Sequence, residues 1–157
     1  MKKNSFIMVI CFLLAFLPTN IFSQEMISLS QMGNDKWYSN GVFYELFVRS
    51  FKDSNGDRYG DFNGVTSKLD YLKSLGISAI WLMPIHDSDE HTNNYDPVDL
   101  MAVDPTYGTM EDFLELLDEA HKRGIRIILD LVLNHTSSKH PFFVDASKNK
   151  NSPYRDW

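Results

Sequence analysis

The chain has almost no cysteine and no excess of positive charge. Its single cysteine, Cys11, excludes a disulfide framework and zinc sites built from paired cysteines. The chain has 15 lysines and arginines and 21 acidic residues, which gives a net charge of −6. This charge argues against nucleic acid as a partner, because phosphate backbones favour basic stripes. Glycine-rich phosphate loops and the Gly-x-Ser-x-Gly turn of serine hydrolases are also missing. An exported protein that acts on neutral substrates is compatible with this composition.

The sequence also lacks an apolar run long enough to span a membrane. The run from Phe6 to Leu17 follows two lysines near the start and is shorter than the ~20 apolar residues of a spanning helix. A basic start before a short apolar stretch is typical of a secretory signal peptide. We therefore expect residues 1–23 to be a signal peptide and residues 24–36 a short linker. The protein would be secreted or periplasmic, without a stable membrane anchor, and processing would remove Cys11.

Strand-like and helix-like segments alternate from Val42 onward, in a chain of globular composition that is 43% hydrophobic. Residues 42–48 are β-branched and aromatic and predict a first strand. Leucines and a valine recur at helical spacing over residues 64–75, and Gly76 is placed to end that helix. Residues 77–83 are apolar on both faces, which is typical of a buried parallel strand, and a proline follows them.

The second half repeats this order. Residues 85–108 predict a loop, and Thr109 is a good helix N-cap with Asp112 in the capping-box position. Gly124 ends that helix, and residues 125–133 predict a third strand in which side chains alternate between the faces. Strands joined through helices predict an α/β fold with a parallel sheet, in which functional loops follow the carboxyl ends of the strands.

Oxygen-bearing side chains occupy alternate positions in the loop after the first strand. The candidate ligands are Asp53, Asn55, Asp57, Asp61 and the backbone carbonyl of Tyr59. Hard oxygen atoms in a short loop suit calcium, which takes roughly 6–8 of them. The loop is not an EF-hand, because Arg58 replaces the glycine of position 6 and Gly64 the glutamate of position 12. A solvated turn without a metal is the alternative, since Asp, Asn and Gly are also ordinary turn formers.

Two further segments carry candidate chemistry. Tyr95 and Asp96 offer an aromatic face and a hydroxyl acceptor, which suit a sugar, although an Asp-Pro turn explains the pair equally simply. Asp130 interrupts an apolar strand and needs a donor or cation nearby, or else it only caps the following turn. His135 could be a base, a ligand or a hydrogen-bonding group, and alone it is a weak signal.

Taken together, these segments resemble the α-amylase superfamily, glycoside hydrolase family 13, and especially its oligo-1,6-glucosidase and α-amylase-like branches. The resemblance covers about Trp37 to Trp157 and is carried, in the family's order, by the following segments: Val42–Phe51, Asp53–Asp61, Leu69–Ile85, Tyr95–Leu100, Tyr107–Phe113 and His121–Ser137. It implies a (β/α)8 barrel, of which this chain would hold the first three strand–helix units. Residues 37–139 would belong to the barrel and residues 140–157 to the start of the inserted small domain, domain B.

The resemblance also implies roles for individual residues. Tyr95 would be the aromatic platform, and Asp96 and His135 would contact the same sugar. Asp130 would support the hydrogen-bond network of the site. Calcium would be bound by the loop residues Asp53, Asn55, Asp57, Tyr59 and Asp61. Asn134 binds a second calcium in some family members, Asn94 replaces the usual glycine, and Leu100 stands where an aromatic residue is common.

The implied function is that of an α-glucan glycoside hydrolase with a retaining mechanism. Such enzymes need two carboxylates roughly 5–5.5 Å apart, and in the family these follow later strands, beyond Trp157. We therefore expect an N-terminal fragment that binds α-glucan oligosaccharides or starch-like substrates and is inactive alone. The alternatives are a transferring or isomerising relative such as a trehalose synthase, a non-catalytic sugar-binding protein, and a remnant without function.

Overall fold

The computed structural model describes residues 36–156. The expected signal peptide at 1–23 and nearly all of the expected linker lie outside the described residues. No helix within the described range is both long enough and apolar enough to cross a membrane. Short 3₁₀ turns at Trp37–Ser39 and Val48–Ser50 flank the first strand.

Three parallel strands form the main sheet: β1 at Phe43–Leu46, β2 at Ala79–Leu82 and β5 at Arg126–Leu129. Their spatial order is β1-β2-β5, so the second strand of the chain lies in the middle. The four residues of each strand pair in register, with Leu82 opposite both Leu46 and Leu129. The predicted α/β class with a parallel sheet is confirmed, although each strand is shorter than its apolar run.

The connection between β1 and β2 contains two short helices, α1 at Phe62–Thr66 and α2 at Leu69–Ser74. The single helix predicted over residues 64–75 is therefore wrong. Two hydroxyl groups explain the break, since Thr66 donates to the carbonyl of Phe62 and Ser67 to that of Gly64. Such local side-chain bonds compete with the helical backbone. Gly76 lies beyond α2 with φ at +78°, which supports its predicted role at the helix end.

The segment predicted as a plain loop at residues 85–108 contains a two-stranded antiparallel sheet. Its strands are β3 at His86–Ser88 and β4 at Pro97–Val103. The pairing is irregular, with register shifts on both sides of Asp87. The sequence pattern did not predict β4, because it contains Pro97 and Asp99, and both residue types are depleted in strands.

Helix α3 at Met110–Lys122 begins as predicted. Thr109 accepts the backbone N–H of Asp112, and the Asp112 carboxylate accepts the backbone N–H of Thr109, so the capping box is confirmed. Gly124 follows with φ at +69°, a left-handed conformation that favours glycine.

The third predicted strand, at residues 125–133, ends early. Strand β5 stops at Leu129 because β2, its only partner within residues 36–156, stops at Leu82. The last bond runs from Asp130 N to Leu82 O at 3.0 Å. Residues 130–133 are therefore irregular and not a strand. The predicted alternation of side chains is nevertheless kept, since Val132 is buried whereas Leu131 and Leu133 are exposed. The chain then forms helix α4 at Pro141–Lys148.

The core lies between the main sheet and the helices α1 to α3. Its members are apolar and almost fully buried, and they include Leu46, Phe62, Leu69, Leu72, Ile80, Leu82, Tyr107, Leu116 and Ile125. Phe62 is its aromatic centre, with ring contacts to Tyr107 and Phe113. This packing fixes the strands from whose carboxyl ends the site residues project.

Candidate functional site

Tyr95 and Asp130 are joined at the carboxyl edge of the main sheet. The Tyr95 hydroxyl donates to Asp130 Oδ2 at 2.6 Å, across 35 residues of sequence. This bond, with burial and the negative charge of Asp130 adding to it, raises the pKa of Tyr95 to about 12. The phenol is therefore held neutral and in one orientation, while Tyr95 as a whole remains 37% exposed.

His135 lies against the same tyrosine. Its Nε2 is 2.5 Å from the backbone carbonyl of Tyr95, and its Nδ1 contacts the side-chain oxygen of its neighbour Asn134. A second link follows, from the backbone N–H of Ser137 to the carbonyl of Pro97 at 3.0 Å. The segment after β5 is therefore fastened to the segment that carries Tyr95 and Asp96.

Asp96 provides an acceptor that the described part of the chain leaves unused. Its Oδ1 is buried and has no hydrogen-bond partner there. A buried carboxylate oxygen without a donor is costly, so this atom is suited to a hydroxyl donated by a ligand. The predicted residues Tyr95, Asp96, Asp130 and His135 are thus brought to one place.

Asn94 and Asp104 hold the segment that carries Tyr95 and Asp96 through buried hydrogen bonds. Neither was predicted as a site residue. Asn94 is fully buried with φ at +61°, a conformation that glycine or asparagine adopts readily. Its amide donates to Asp104 Oδ2 at 2.7 Å and to the carbonyl of His86 at 2.9 Å. This left-handed backbone would also suit the glycine that the resemblance implies at this position.

Asp104 is fully buried and accepts several further bonds. Its Oδ1 accepts from the backbone N–H and the hydroxyl of Thr106 at 2.8 and 2.7 Å, and its Oδ2 lies 3.2 Å from His91 Nδ1. In the sequence, an acid directly before a proline indicates only a turn, so no local signal could have identified this role.

His86 is the other residue that sequence reasoning missed. It is the first residue of β3, is 8% exposed, and has a buried Nε2 without a hydrogen-bond partner in the described part of the chain. Burial lowers its pKa, against the opposing effect of a nearby Leu100 carbonyl and the charges of Asp130 and Asp99. A single histidine in a short irregular strand has no sequence signature.

A cleft of about 450 Å³ opens beside His135, and Tyr95, Asp96 and Asp130 are not among its lining residues. Leu100 forms one wall, and the chain from Val132 to Thr136, including His135, forms the other. Leu133 is 76% exposed there, so the cleft combines apolar surface with the imidazole of His135. Such a mixture suits a ligand that has apolar faces and hydroxyl edges.

In the loop Asp53–Asp61, here called the acidic loop, the acidic side chains accept hydrogen bonds from the loop's own backbone. Asp53 accepts three backbone N–H groups, from Asn55, Gly56 and Arg58, at 2.6 to 2.9 Å. The bonds from Gly56 and Arg58 are the main reason that the pKa of Asp53 lies below its usual value. Arg58 has φ at +81°, a left-handed backbone that favours the glycine of an EF-hand at this position.

The remaining loop acids are held in the same way. Asp57 Oδ1 accepts from Tyr59 N at 2.8 Å, Asn55 Oδ1 accepts from Asp57 N at 2.9 Å, and Asp61 accepts from Ser54 N and Gly64 N. A cleft of about 400 Å³ beside the loop is lined by four of the five predicted ligands, Asn55, Asp57, Tyr59 and Asp61.

The chemistry of this cleft fits a hard cation. Residues 36–156 contain no cluster of three or more His, Cys, Asp or Glu side chains suited to a metal. A cation would therefore depend on two carboxylates, one amide oxygen and one main-chain carbonyl, a donor set that calcium accepts. Asp53 does not line the cleft, and its carboxylate accepts three backbone N–H groups of the loop, so its predicted role as a ligand stays a prediction.

Comparison with known proteins gives matches over most of the described residues. Residues 45–157 match the family model "Alpha amylase, catalytic domain". The chain is 57% identical over 124 residues to an α-amylase 3 from Dictyoglomus thermophilum, an alignment that covers 79% of this chain and 25% of the relative. It is 51% identical over 122 residues to an oligo-1,6-glucosidase from Heyndrickxia coagulans, covering 78% and 22% of the two chains.

Solved structures agree with the sequence matches. The crystal structure of a trehalose-6-phosphate hydrolase from Bacillus licheniformis superposes with a TM-score of 0.75 at 48% identity. That alignment covers 78% of this chain and 22% of the hydrolase. The chain therefore spans about a quarter of the length of the relatives it matches.

Proposed function

Because the chain belongs to the α-amylase family, glycoside hydrolase family 13, we propose that it forms the glucose-binding part of an enzyme that hydrolyses α-glucosidic bonds. The observation that carries this proposal is the meeting of Tyr95, Asp130 and His135 through hydrogen bonds of 2.5 to 2.6 Å. The sheet β1-β2-β5 would be the first part of a (β/α)8 barrel, in residues 37–139, and residues 140–157 would begin domain B.

Each residue of the site has a distinct task in this proposal. The Tyr95 ring offers an apolar face to the pyranose, and its bond to Asp130 prevents the ring from turning away. Asp96 Oδ1 accepts a sugar hydroxyl, which would satisfy its buried oxygen. His135 is held against the Tyr95 carbonyl and contacts the same sugar beside the tyrosine.

The reaction itself requires groups other than these. A retaining hydrolase uses a nucleophilic carboxylate and an acid/base roughly 5–5.5 Å apart. Asp130 is engaged by Tyr95, and Asp96 is assigned to a sugar hydroxyl, so neither is available as nucleophile. We propose that the catalytic pair comes from other strands of the family's catalytic domain, and that this chain alone binds α-glucans without cleaving them.

Incubation with substrates tests that separation of binding from cleavage. Purified residues 24–157 should release no reducing sugar from starch, maltooligosaccharides or isomaltose, while a complete α-amylase in parallel should release it readily. Sustained release that disappears in Asp130→Asn would show that the chain carries its own catalytic groups and would overturn the proposal.

Calcium is proposed as the metal of the acidic loop. Asn55, Asp57, Asp61 and the Tyr59 carbonyl would hold it, and it would neutralise the carboxylates and fix the loop that follows β1. Added calcium should raise the melting temperature, and Asp57→Ala should remove most of that rise. The exposed helix residue Asp118→Ala is the matched control. An equal rise in wild type and Asp57→Ala would place the cation elsewhere.

Export is proposed from the first 23 residues. Expression with these residues in a secreting bacterial host should yield a mature product that begins at Gln24, as read by N-terminal sequencing. A product that keeps Met1 and stays inside the cell would contradict this part of the proposal.

A further inference from the structure

Arg49 is a half-buried guanidinium that contacts two parts of the chain at once. Its Nη1 donates to the backbone carbonyl of His91 at 2.8 Å, across 42 residues of sequence. The ring of Tyr59 covers its other side, with 3.8 Å from Arg49 Cζ to the ring centroid. A cation within about 6 Å of an aromatic ring centroid is attracted to the face of that ring. Arg49 therefore joins the acidic loop, which contains Tyr59, to the segment that contains His91.

The backbone of the acidic loop is fastened to the same arginine. Gly60 N donates to the carbonyl of Arg49 at 2.7 Å. A Cβ at Gly60 would lie 1.9 Å from the carbonyl oxygen of Val48, so only glycine allows the two backbones to approach this closely. This close approach brings the end of the loop against the turn after β1 and places Tyr59 beside the guanidinium.

His91 belongs to residues 88–96, here called the platform segment, which ends in the two proposed sugar-binding residues. The backbone of His91 has φ at +49° and that of Asn94 has φ at +61°. Left-handed backbone is uncommon in residues other than glycine and persists where surrounding contacts hold it. Asp104, after β4, holds both residues, since its Oδ2 lies 3.2 Å from His91 Nδ1 and accepts the Asn94 amide at 2.7 Å. Arg49 holds the same segment from the side of β1.

We propose that Arg49 is a positioning residue of the sugar site, which fixes the platform segment, and with it Tyr95 and Asp96, to the acidic loop. The ring of Tyr59 keeps the guanidinium on the His91 carbonyl, so this tyrosine acts through its side chain as well as through its carbonyl. The proposal rests on the function proposed above and goes beyond it, because that function gives Arg49 no contact with sugar or metal. A change in the acidic loop should then alter the affinity for sugar.

The first test follows the platform segment without any sugar. Arg49→Gln in the full chain removes the charge and shortens the side chain, so the backbone NMR signals from His91 to Asp96 should shift. Tyr59→Leu should shift the same signals by a smaller amount. Arg58→Gln, the same substitution at an exposed position of the acidic loop, is the matched control and should leave these signals in place. Unchanged signals in Arg49→Gln, or shifts that are equally large throughout α3, would overturn the proposal.

The second test measures affinity for maltotriose by calorimetry. Arg49→Gln should weaken binding about tenfold, because a hydrogen bond from a charged donor is lost. Tyr59→Leu should weaken it about threefold, because the guanidinium loses the face of the ring. Tyr59→Phe keeps that face and should restore most of the affinity that Tyr59→Leu loses. Both Tyr59 variants retain the backbone carbonyl, so the proposed metal ligands are the same in each. Tyr71→Leu, at an exposed tyrosine of α2, is the matched control and should bind as wild type does.

A combined substitution decides whether Tyr59 acts through Arg49. The double variant Arg49→Gln, Tyr59→Leu should bind no more weakly than Arg49→Gln alone, because the ring then has no cation to hold. Losses that multiply in the double variant, or equal losses in Tyr59→Phe and Tyr59→Leu, would overturn the role of the ring. Wild-type affinity in Arg49→Gln would overturn the proposal as a whole.

The two tests also separate the inference from the function on which it rests. If wild type binds no maltotriose, the proposed function fails, and the signals of the platform segment still decide whether Arg49 holds it. If wild type binds maltotriose and Arg49→Gln changes neither these signals nor the affinity, the function stands and the positioning role is wrong.

Discussion

At the scale of single residues, the site depends on contacts between side chains that are distant in the sequence. Tyr95 and Asp130 are 35 positions apart, yet their hydrogen bond fixes the aromatic ring at the sheet edge. Sequence analysis proposed both residues, through the resemblance, but could not show that they bond to each other. The buried atoms of Asn94, Asp104 and His86 escaped it, because nothing in the local sequence distinguishes them from turn residues.

Removal of the Asp130 charge should be visible on Tyr95. The pKa of Tyr95 is raised to about 12 chiefly by its bond to the carboxylate, so Asp130→Asn should bring it back toward its usual value near 10. NMR titration of labelled tyrosine measures this. Asp118→Asn is the matched control. A Tyr95 pKa that stays near 12 in Asp130→Asn would contradict the hydrogen bond.

Arg58 should be an unfavourable residue in its position. Its φ of +81° strains a side chain that glycine would not carry, so Arg58→Gly should stabilise the chain by about 1 kcal/mol. Urea unfolding in excess calcium measures the change. Ser54→Gly, in the same loop without a left-handed backbone, should give no gain. Destabilisation by Arg58→Gly would mean that the arginine contributes more than its backbone costs.

At the scale of elements, the sequence predicted the N-terminal cap of α3 correctly but did not predict where the strands end. The capping box of α3 follows from local chemistry, since Thr109 and Asp112 bond to each other's backbone. The end of β5 depends on where its neighbour β2 ends, which a pattern within one segment cannot reveal. The hairpin β3–β4 was missed for a different reason, because Pro97 and Asp99 in β4 disfavour strands locally.

The capping box gives a prediction for helix stability. Thr109→Ala should lower the free energy of unfolding by about 1 kcal/mol, because the N–H of Asp112 loses its acceptor. The midpoint of urea unfolding measures it. Glu115→Ala, at an exposed position within α3, is the control and should change stability by less than about 0.5 kcal/mol. Equal effects of the two substitutions would show that the cap is not made in solution.

At the scale of the whole molecule, the family and the parallel α/β arrangement were predictable because they rest on repeated, ordered segments. The apolar run at residues 77–83 predicted a strand buried on both faces, and Ala79, Ile80 and Leu82 are indeed buried. The matched relatives extend this picture, since the chain covers about a quarter of their length. Trp81 in the central strand is 41% exposed, so one face of the sheet is not covered by the described helices.

Binding of maltotriose to the full chain, followed by NMR at each residue, tests the central claim most directly. We predict that added maltotriose shifts the signals of Tyr95, Asp96 and His135 together, and that Asp96→Asn weakens the response while Asp118→Asn does not. Signals that remain unchanged at these three residues, or shifts confined to a different surface, would contradict a sugar site at the carboxyl edge of the sheet.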